Sequence, residues 1–217
     1  MTVIDRKETG TKPDTQALFK LTYGMHVLCA RQDGKDNGCV INTAVQVTDT
    51  SHRLSVTVNK KSLTQEMILD TGRFTLSNLS ERAAFELLER FGFKSGRDAD
   101  KFADFSGWER DKEGIPYLTQ GTNAFFSCEV EQTVDLDTHT MFIAKISDMA
   151  VLDDAASMTY SFYQEHLRPQ SSTPKTGSKT VWRCVVCGWE YVGDELPEDI
   201  ICPLCNHGAS DFIRVDD

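Results

Sequence analysis

The 217-residue chain has no long hydrophobic run, no excess of positive charge and no secretory signal pattern. Its longest apolar stretches fall far short of the about 20 residues that a membrane-spanning helix needs, so we expect no membrane span. It contains 33 acidic and 23 basic residues, and the net charge of −10 argues against binding to nucleic acid or to an anionic membrane. The segment from Met1 to Lys7 lacks the apolar core of a signal peptide, and we therefore expect a cytoplasmic protein.

The glycine fingerprint of dinucleotide-binding folds, Gly-x-Gly-x-x-Gly, is absent, and the seven cysteines do not form a disulfide pattern. Three of them are scattered singly, which is typical of reduced thiols. The other four form two Cys-x-x-Cys pairs, a spacing that can place four sulfurs around one tetrahedral metal. Soft thiolates suit Zn²⁺ or a single iron and disfavour Mg²⁺ or Ca²⁺, so the pattern predicts such a site without choosing the metal. Its ligands are Cys184, Cys187, Cys202 and Cys205.

Composition divides the chain into three parts. We expect a first domain at 1–167, a flexible linker at 168–180 that contains no large apolar residue, and a small metal-binding domain at 181–217. A tail of about forty residues would not fold without its metal. The linker has a root-mean-square span of roughly 20 Å and holds the tail at about millimolar effective concentration.

The first domain is predicted to be mainly β with a few helices, arranged as a barrel with helices packed outside it. Helices are predicted at 15–20, at 63–71, from a cap at Ser80 to Gly92, and at 158–167. Strands are predicted at 23–30, 39–47, 53–59, 74–78, 124–133 and 139–146.

The helix at 63–71 begins with a capping box, Ser62-Leu63-Thr64-Gln65. Here Ser62 is expected to accept from the Gln65 backbone N–H while the Gln65 side chain reaches back. A helix N-terminus with lysine and hydroxyls alongside suits phosphate, because its N–H groups and dipole favour an anion. The residues alone leave open the alternative that the hydroxyls only cap and that Lys60 is solvated.

The loop at 92–102 bears glycines and cations between two aromatic residues. Loops of this kind can wrap an anionic ligand, although many are surface connections.

The tail resembles rubredoxin, the one-electron carrier with iron held by four cysteines. The resemblance implies one iron in the four-cysteine site, with Gly188 and Asn206 allowing backbone N–H groups to turn toward the sulfurs. A structural zinc ribbon remains the alternative. The resemblance rests on Trp182, Gly188-Trp189-Glu190-Tyr191, Gly193-Asp194-Glu195, Leu196-Pro197-Glu198-Asp199 and Cys202-Pro203-Leu204-Cys205.

The run from about Phe19 to Arg168 resembles the flavin reductase family, whose fold is an FMN-binding split β-barrel. The matching stretches lie at 37–43, 58–64, 93–102, 137–140 and 152–163. The order of these stretches and the fusion to a rubredoxin-like tail carry the resemblance.

The resemblance implies a set of FMN-binding residues. Asn42 and Thr43, with the backbone at 39–41, would face the flavin, and Arg97 would match phosphate or pyrimidine oxygens through its fixed fork. His139 would lie near the flavin as the candidate catalytic residue, or be a packed histidine of the barrel wall. Cys39 lies close to these residues in the pattern, but its expected role is that of a small buried thiol. The full set is Cys39, Val40, Ile41, Asn42 and Thr43 at the flavin, Asn59, Lys60, Ser62 and Thr64 at the phosphate end, and Ser95, Gly96 and Arg97 closing over the cofactor.

The two resemblances together imply an NAD(P)H-oxidising flavoprotein in which electrons pass from FMN to the tail iron. They also imply a homodimer and, as electron acceptor, a flavodiiron-type oxygen or nitric oxide reductase. The acidic tail would steer toward a basic patch on that partner. Two alternatives remain, namely an FMN and iron shuttle reduced by another protein, and a flavin reductase whose tail is a structural zinc ribbon.

Overall fold

The computed structural model describes residues 17, 20–168, 180–185, 189–200, 202 and 208–215. The helix predicted at 15–20 lies largely outside these residues, as does the linker. None of the helices in the described part is long and apolar enough to cross a membrane.

An antiparallel sheet of seven strands forms the centre of the first domain, in the order β2-β1-β5-β8-β9-β4-β3. A short hairpin of β6 and β7 stands beside it, and a second sheet, in the order β11-β10-β12, forms the tail. The strands are His26–Gln32 (β1), Lys35–Ile41 (β2), Ala44–Thr48 (β3), Arg53–Asn59 (β4), Arg73–Leu79 (β5), Trp108–Arg110 (β6), Pro116–Leu118 (β7), Thr122–Leu136 (β8), His139–Val151 (β9), Val181–Cys184 (β10), Glu190–Val192 (β11) and Phe212–Val215 (β12).

Within the described residues, three helices flank the central sheet. The first, α1, is Leu63–Thr71, and it ends at Gly72, whose φ of 68° lets its N–H close on the Ile68 carbonyl. The second, α2, is Phe85–Leu88 and continues as a π-helical turn, Glu89–Phe93. The third, α3, is Tyr160–Phe162 and continues as Tyr163–Leu167, while a 3₁₀ turn, Ala209–Asp211, precedes β12. The prediction of a mainly β domain with a few helices is confirmed.

Alternating side chains of the sheet supply two hydrophobic cores. On one face, Leu28, Phe74 and Phe142 form a core that receives Met67 and Ile68 of α1. On the other face, a second core joins the sheet to α2 and α3; its members include Val27, Cys29, Leu88, Phe91, Leu118, Met158 and Tyr163.

The single cysteines are reduced, as predicted. Cys29 lies opposite Gly38 and Cys39 lies opposite Leu28, so the two thiols point to different faces of the sheet and cannot be joined. Burial raises the pKa of the Cys29 and Cys128 thiols well above its ordinary value, so both are neutral.

The boundaries of β4 and α1 agree with the prediction, but the single strand predicted at 39–47 is wrong. Asn42 and Thr43 interrupt it, and β2 and β3 lie at opposite edges of the sheet. The break is stabilised at Thr43, whose hydroxyl donates to the Thr57 carbonyl (2.6 Å) and whose carbonyl accepts from the Thr57 N–H (3.1 Å).

The capping box is a second correction. Ser62 makes no side-chain cap, and its backbone carbonyl accepts from the Gln65 N–H at 3.1 Å. The Gln65 side chain is buried and donates to the Thr140 hydroxyl of β9 at 2.9 Å instead of reaching back. A tertiary hydrogen bond therefore replaces the local one.

The helix predicted to start after Ser80 also begins later. Ala84 precedes its first residue, and the Ser80 backbone is occupied by the Gly121 carbonyl and the Ala83 N–H, both at 2.9 Å. The hairpin of β6 and β7 was not predicted, because strands of three residues are too short to show a period.

Both ring nitrogens of His26, which is 9 % exposed, lack a hydrogen-bond partner among the described residues. Burial lowers the pKa of this imidazole to about 4, because no acceptor compensates the charged form. The unfolded chain therefore binds more protons than the folded one between pH 4 and the ordinary histidine pKa of about 6.5. Stability from this site is complete above about pH 6.5 and is lost as the pH falls toward 4.

Replacing His26 with leucine should reduce the loss of unfolding free energy between pH 7 and pH 5 by roughly 2 kcal/mol. Urea denaturation at the two pH values measures this loss, in the same cofactor state for both proteins. His52→Asn is the matched control, because His52 is an exposed turn residue at φ 28°. An unchanged pH dependence in His26→Leu would contradict the assignment.

Candidate functional site

The start of α1, the turn between β8 and β9 and the loop after α2 meet at one place. Asn59 at the end of β4 lies opposite His139 at the start of β9, and the Lys60 N–H donates to the Thr138 carbonyl at 3.1 Å. Arg97 of the loop forms an ion pair with Glu66 in the first turn of α1. The fold thus gathers three of the predicted segments, which lie far apart in the sequence.

The N-terminus of α1 has the properties of an anion site. The Asn59 side chain accepts from the Lys61 N–H (2.9 Å) and its carbonyl accepts from the Ser62 N–H (3.0 Å), which fixes the turn that enters the helix. The Ser62 hydroxyl is not used as a cap. First-turn amides and the helix dipole favour a phosphate, so these residues fit the phosphate of FMN.

Two cations near this helix, Lys60 and Arg97, are held by carboxylates. The Lys60 ammonium lies 2.6 Å from Asp135, and Arg97 pairs with Glu66. The hydrogen bond from Lys60 lowers the pKa of the Asp135 carboxyl below its ordinary value. All four side chains are at least one-third exposed, so both cations can exchange their partner for an anion.

Thr64 and Gly96 are positioned through Asn37 of β2. Thr64 is fully buried, and its hydroxyl accepts from the Asn37 side-chain amide at 3.0 Å. A Cβ on Gly96 would lie 2.1 Å from Asn37 Oδ1, so only glycine allows the loop to approach. Within the loop, the Ser95 hydroxyl accepts from the Arg97 N–H at 3.1 Å. The role of these residues at a cofactor stays a prediction.

Strand β2 offers backbone groups at a sheet edge. Among the described residues its only neighbour in the sheet is β1, so the backbone of Cys39, Val40 and Ile41 borders an edge where hydrogen-bonding groups remain available. Ile41 is 8 % exposed, whereas Cys39, Val40 and Asn42 are half-buried. An edge of this kind fits the polar rim of a flavin ring.

His139 lies at the site but forms no acid–base pair with a carboxylate among the described residues. It is half-buried, and its Nδ1 lies 2.8 Å from the Thr138 hydroxyl. Its catalytic role stays a prediction.

Two of the four predicted metal ligands fall within the described residues. Cys184 and Cys202 are fully buried and share a small core with Phe212. Cys187 and Cys205 lie outside the described part, and no group of three or more metal-binding side chains occurs within it. Buried thiols in an aromatic shell fit a four-thiolate iron or zinc. The shell consists of Trp182, Trp189, Tyr191, Leu196, Ile200 and Phe93.

Phe93 joins the two domains. It is the last residue of the π-helical turn, immediately before the loop of Ser95 and Arg97, and it packs against both the second core and the tail core. A cleft of about 450 Å³ separates the tail from α3, and its walls include Tyr23, Tyr160, Arg168, Arg183, Cys184 and Ile213.

Three residues at the site were not predicted from the sequence. Asn37 was placed at the opening of the second strand and within the matching stretch at 37–43, but it was not assigned to the site. No local signal pointed to Glu66 or Asp135, because their partners, Arg97 and Lys60, lie 31 and 75 residues away in the chain.

Known protein families match both parts of the chain. The model for the flavin reductase like domain matches residues 18–171, and that for the rubrerythrin, rubredoxin-like domain matches residues 182–213. The chain is 35% identical to the high molecular weight rubredoxin of Moorella thermoacetica, over 93% of this chain and 100% of that protein. It is 32% identical to the ferric-chelate reductase (NAD(P)H) of Archaeoglobus fulgidus, over 76% of this chain and 96% of that protein.

Solved structures show the same fold. The styrene monooxygenase flavin reductase of Pseudomonas putida S12 is 28% identical, with a TM-score of 0.54 over 63% of this chain and 85% of its own. An FMN-binding protein from Thermus thermophilus is 18% identical, with a TM-score of 0.59 over 68% of this chain and 82% of its own.

Replacing Asp135 with asparagine should raise the affinity for FMN by about two- to fivefold at low salt, because Lys60 no longer pairs with a carboxylate. The gain should shrink at high salt through screening. Quenching of flavin fluorescence on titration of the apoprotein measures the affinity. Asp137→Asn makes the same charge change in the same turn and should have little effect. Weaker binding by Asp135→Asn would show that Asp135 positions Lys60 for the phosphate.

Proposed function

Because the chain belongs to the flavin reductase-like family and carries a rubredoxin-like domain at its C-terminus, we propose that it is an NAD(P)H-oxidising flavoprotein that reduces its own tail. Electrons pass from FMN to one iron in the four-cysteine site and then to a partner protein. The single observation that carries this proposal is the packing of Phe93 against the core of the tail, directly beside the loop at 94–97.

The chain's own residues divide the work of holding the cofactor. The amides of the first turn of α1, with Lys60 and Ser62, bind the phosphate. The edge backbone of β2 and Asn42 orient the ring, and Arg97 closes over it after leaving Glu66. Bound FMN supplies acceptance of a hydride and release of single electrons, which a four-thiolate iron can take one at a time. The residues need only orient and exclude water, so no general acid or base is required at the hydride step.

The proposal includes a cytoplasmic homodimer and a flavodiiron-type terminal reductase as acceptor. The tail supports transfer to a partner through a run of exposed carboxylates between the two cysteine pairs. These are Asp194, Glu195, Glu198 and Asp199. Such a surface steers association with a basic patch and should make the rate of electron delivery fall with ionic strength.

An anaerobic visible spectrum before and after stoichiometric NADH or NADPH tests the proposal. We expect ferric four-thiolate bands over flavin bands in the resting protein, and bleaching of both on reduction. Bleaching of flavin bands alone, without iron, would make the tail a zinc ribbon. Iron and flavin bands that neither nucleotide bleaches would leave a shuttle that another protein reduces.

Replacing Phe93 with alanine should slow reduction of the tail iron by about five- to thirtyfold, since truncating a central aromatic contact costs about 1–2 kcal/mol of docking. Flavin reduction by NADH should stay within about twofold of the parent rate. Anaerobic stopped-flow spectroscopy follows the two steps at separate wavelengths. Phe85→Ala is the control, because Phe85 contacts Phe93 and the second core but is not part of the tail core. An equal slowing in both variants would contradict a specific role of the Phe93 contact.

A further inference from the structure

Lys101 is a buried cation without a carboxylate partner among the described residues. It is 5 % exposed, and none of the ion pairs in that part of the chain includes it. Its ammonium donates to the Gly38 carbonyl of β2 at 2.8 Å and to the Phe91 carbonyl of the π-helical turn at 3.0 Å. Burial lowers the pKa of this group.

Burying such a lysine destabilises the fold. A buried ammonium loses its hydration, and two carbonyl oxygens stabilise it less than a paired carboxylate would. A leucine or methionine at this position would carry no charge to desolvate, but it would leave the buried Gly38 and Phe91 carbonyls without the donor that Lys101 supplies. The lysine therefore holds these two carbonyls together, which an apolar side chain could not do.

Two contacts fasten the loop at 94–102 to strand β2. Near its start, Gly96 lies against the Asn37 side chain. At the end of the loop, the Lys101 ammonium donates to the carbonyl of Gly38, the residue after Asn37 in β2. The backbone of Lys101 is itself held, because its carbonyl accepts from the Arg90 guanidinium at 3.2 Å. The ammonium thus links the strand, the loop and the helical turn.

We propose that Lys101 is a positioning residue that preforms the flavin site by fixing the loop of Ser95 and Arg97 relative to the backbone of β2. This inference rests on the proposed function, because the loop and the strand are the two sides of the proposed FMN site. Because Lys101 holds them together in the apoprotein, less conformational entropy is lost when the cofactor binds than would be lost by a mobile loop. Lys101 acts through Gly38 and through the loop, and it does not touch the cofactor.

Lys101→Met in the full chain tests the proposal. We expect the dissociation constant for FMN, measured by flavin fluorescence, to rise at least about tenfold. Hydrogen exchange of the amides at 94–100 in the apoprotein should accelerate by a similar factor. Lys101→Gln keeps a side-chain donor, so its FMN affinity and loop exchange rates should lie between those of the parent and Lys101→Met. If Lys101→Met does not fold, Lys101→Gln is the variant that tests the proposal. Lys35→Met removes an exposed lysine from strand β2. It should leave the FMN dissociation constant and the loop exchange rates within about twofold of the parent.

Three outcomes would overturn the proposal. One is a folded Lys101→Met whose FMN affinity and loop exchange match the parent. The second is a loss of affinity that disappears when a stabilising osmolyte such as sucrose restores the melting temperature, since the effect would then be general destabilisation. The third is equal loss in Lys35→Met. If the parent itself binds no FMN, the proposed function fails, and loop exchange alone then decides whether Lys101 fixes the loop.

Discussion

The open edge of strand β2 is the constraint on which the rest of the site depends. An edge strand leaves backbone groups without a neighbouring strand, and proteins cover or use such edges. Here the loop at 94–102 approaches the edge at Asn37 and Gly38, where glycine at position 96 and the ammonium of Lys101 allow a close contact. The stretch at 39–41 beyond that contact remains available, and it leads directly into Asn42 and Thr43. The proposed cofactor site is therefore the part of the edge that the loop does not cover.

The charged side chains around α1 differ from its buried contacts in that they can exchange partners. Lys60 and Arg97 are exposed and paired with carboxylates, so each pair is worth little and can be exchanged for a phosphate. The Asn37–Thr64 and Gln65–Thr140 hydrogen bonds are buried and hold α1 in place against β2 and β9. Rigid neutral contacts thus set the position of the helix, and exchangeable ions border its N-terminus. This division allows an anionic cofactor to bind without rebuilding the fold.

Local signals predicted part of this structure and could not predict the rest. Strand β4 and helix α1 were predicted to the residue, because alternation defines the strand and Gly72 ends the helix. Strand-forming residues lie on both sides of Asn42 and Thr43, so the stretch at 39–47 conceals a crossing from one sheet edge to the other. The capping box failed because Gln65 finds Thr140, 75 residues away, which no local pattern contains. The candidate site came from family resemblance, and the contacts that organise it, such as Asn37 with Gly96, are tertiary.

The junction between the domains has to satisfy two opposed demands. Under the proposed function, the tail approaches the loop at 94–97 to receive electrons and leaves it to deliver them to another protein. Phe93 is the one aromatic that the second core and the tail core share among the described residues, and the predicted linker would hold the tail at about millimolar effective concentration. A contact with a millimolar dissociation constant would then be occupied about half of the time. A larger apolar interface would keep the tail bound to the first domain. Without any interface, electron transfer would depend on random collisions between the two domains. A weak contact on a tether meets both demands, and the exposed carboxylates between the cysteine pairs remain free to guide the tail to its acceptor.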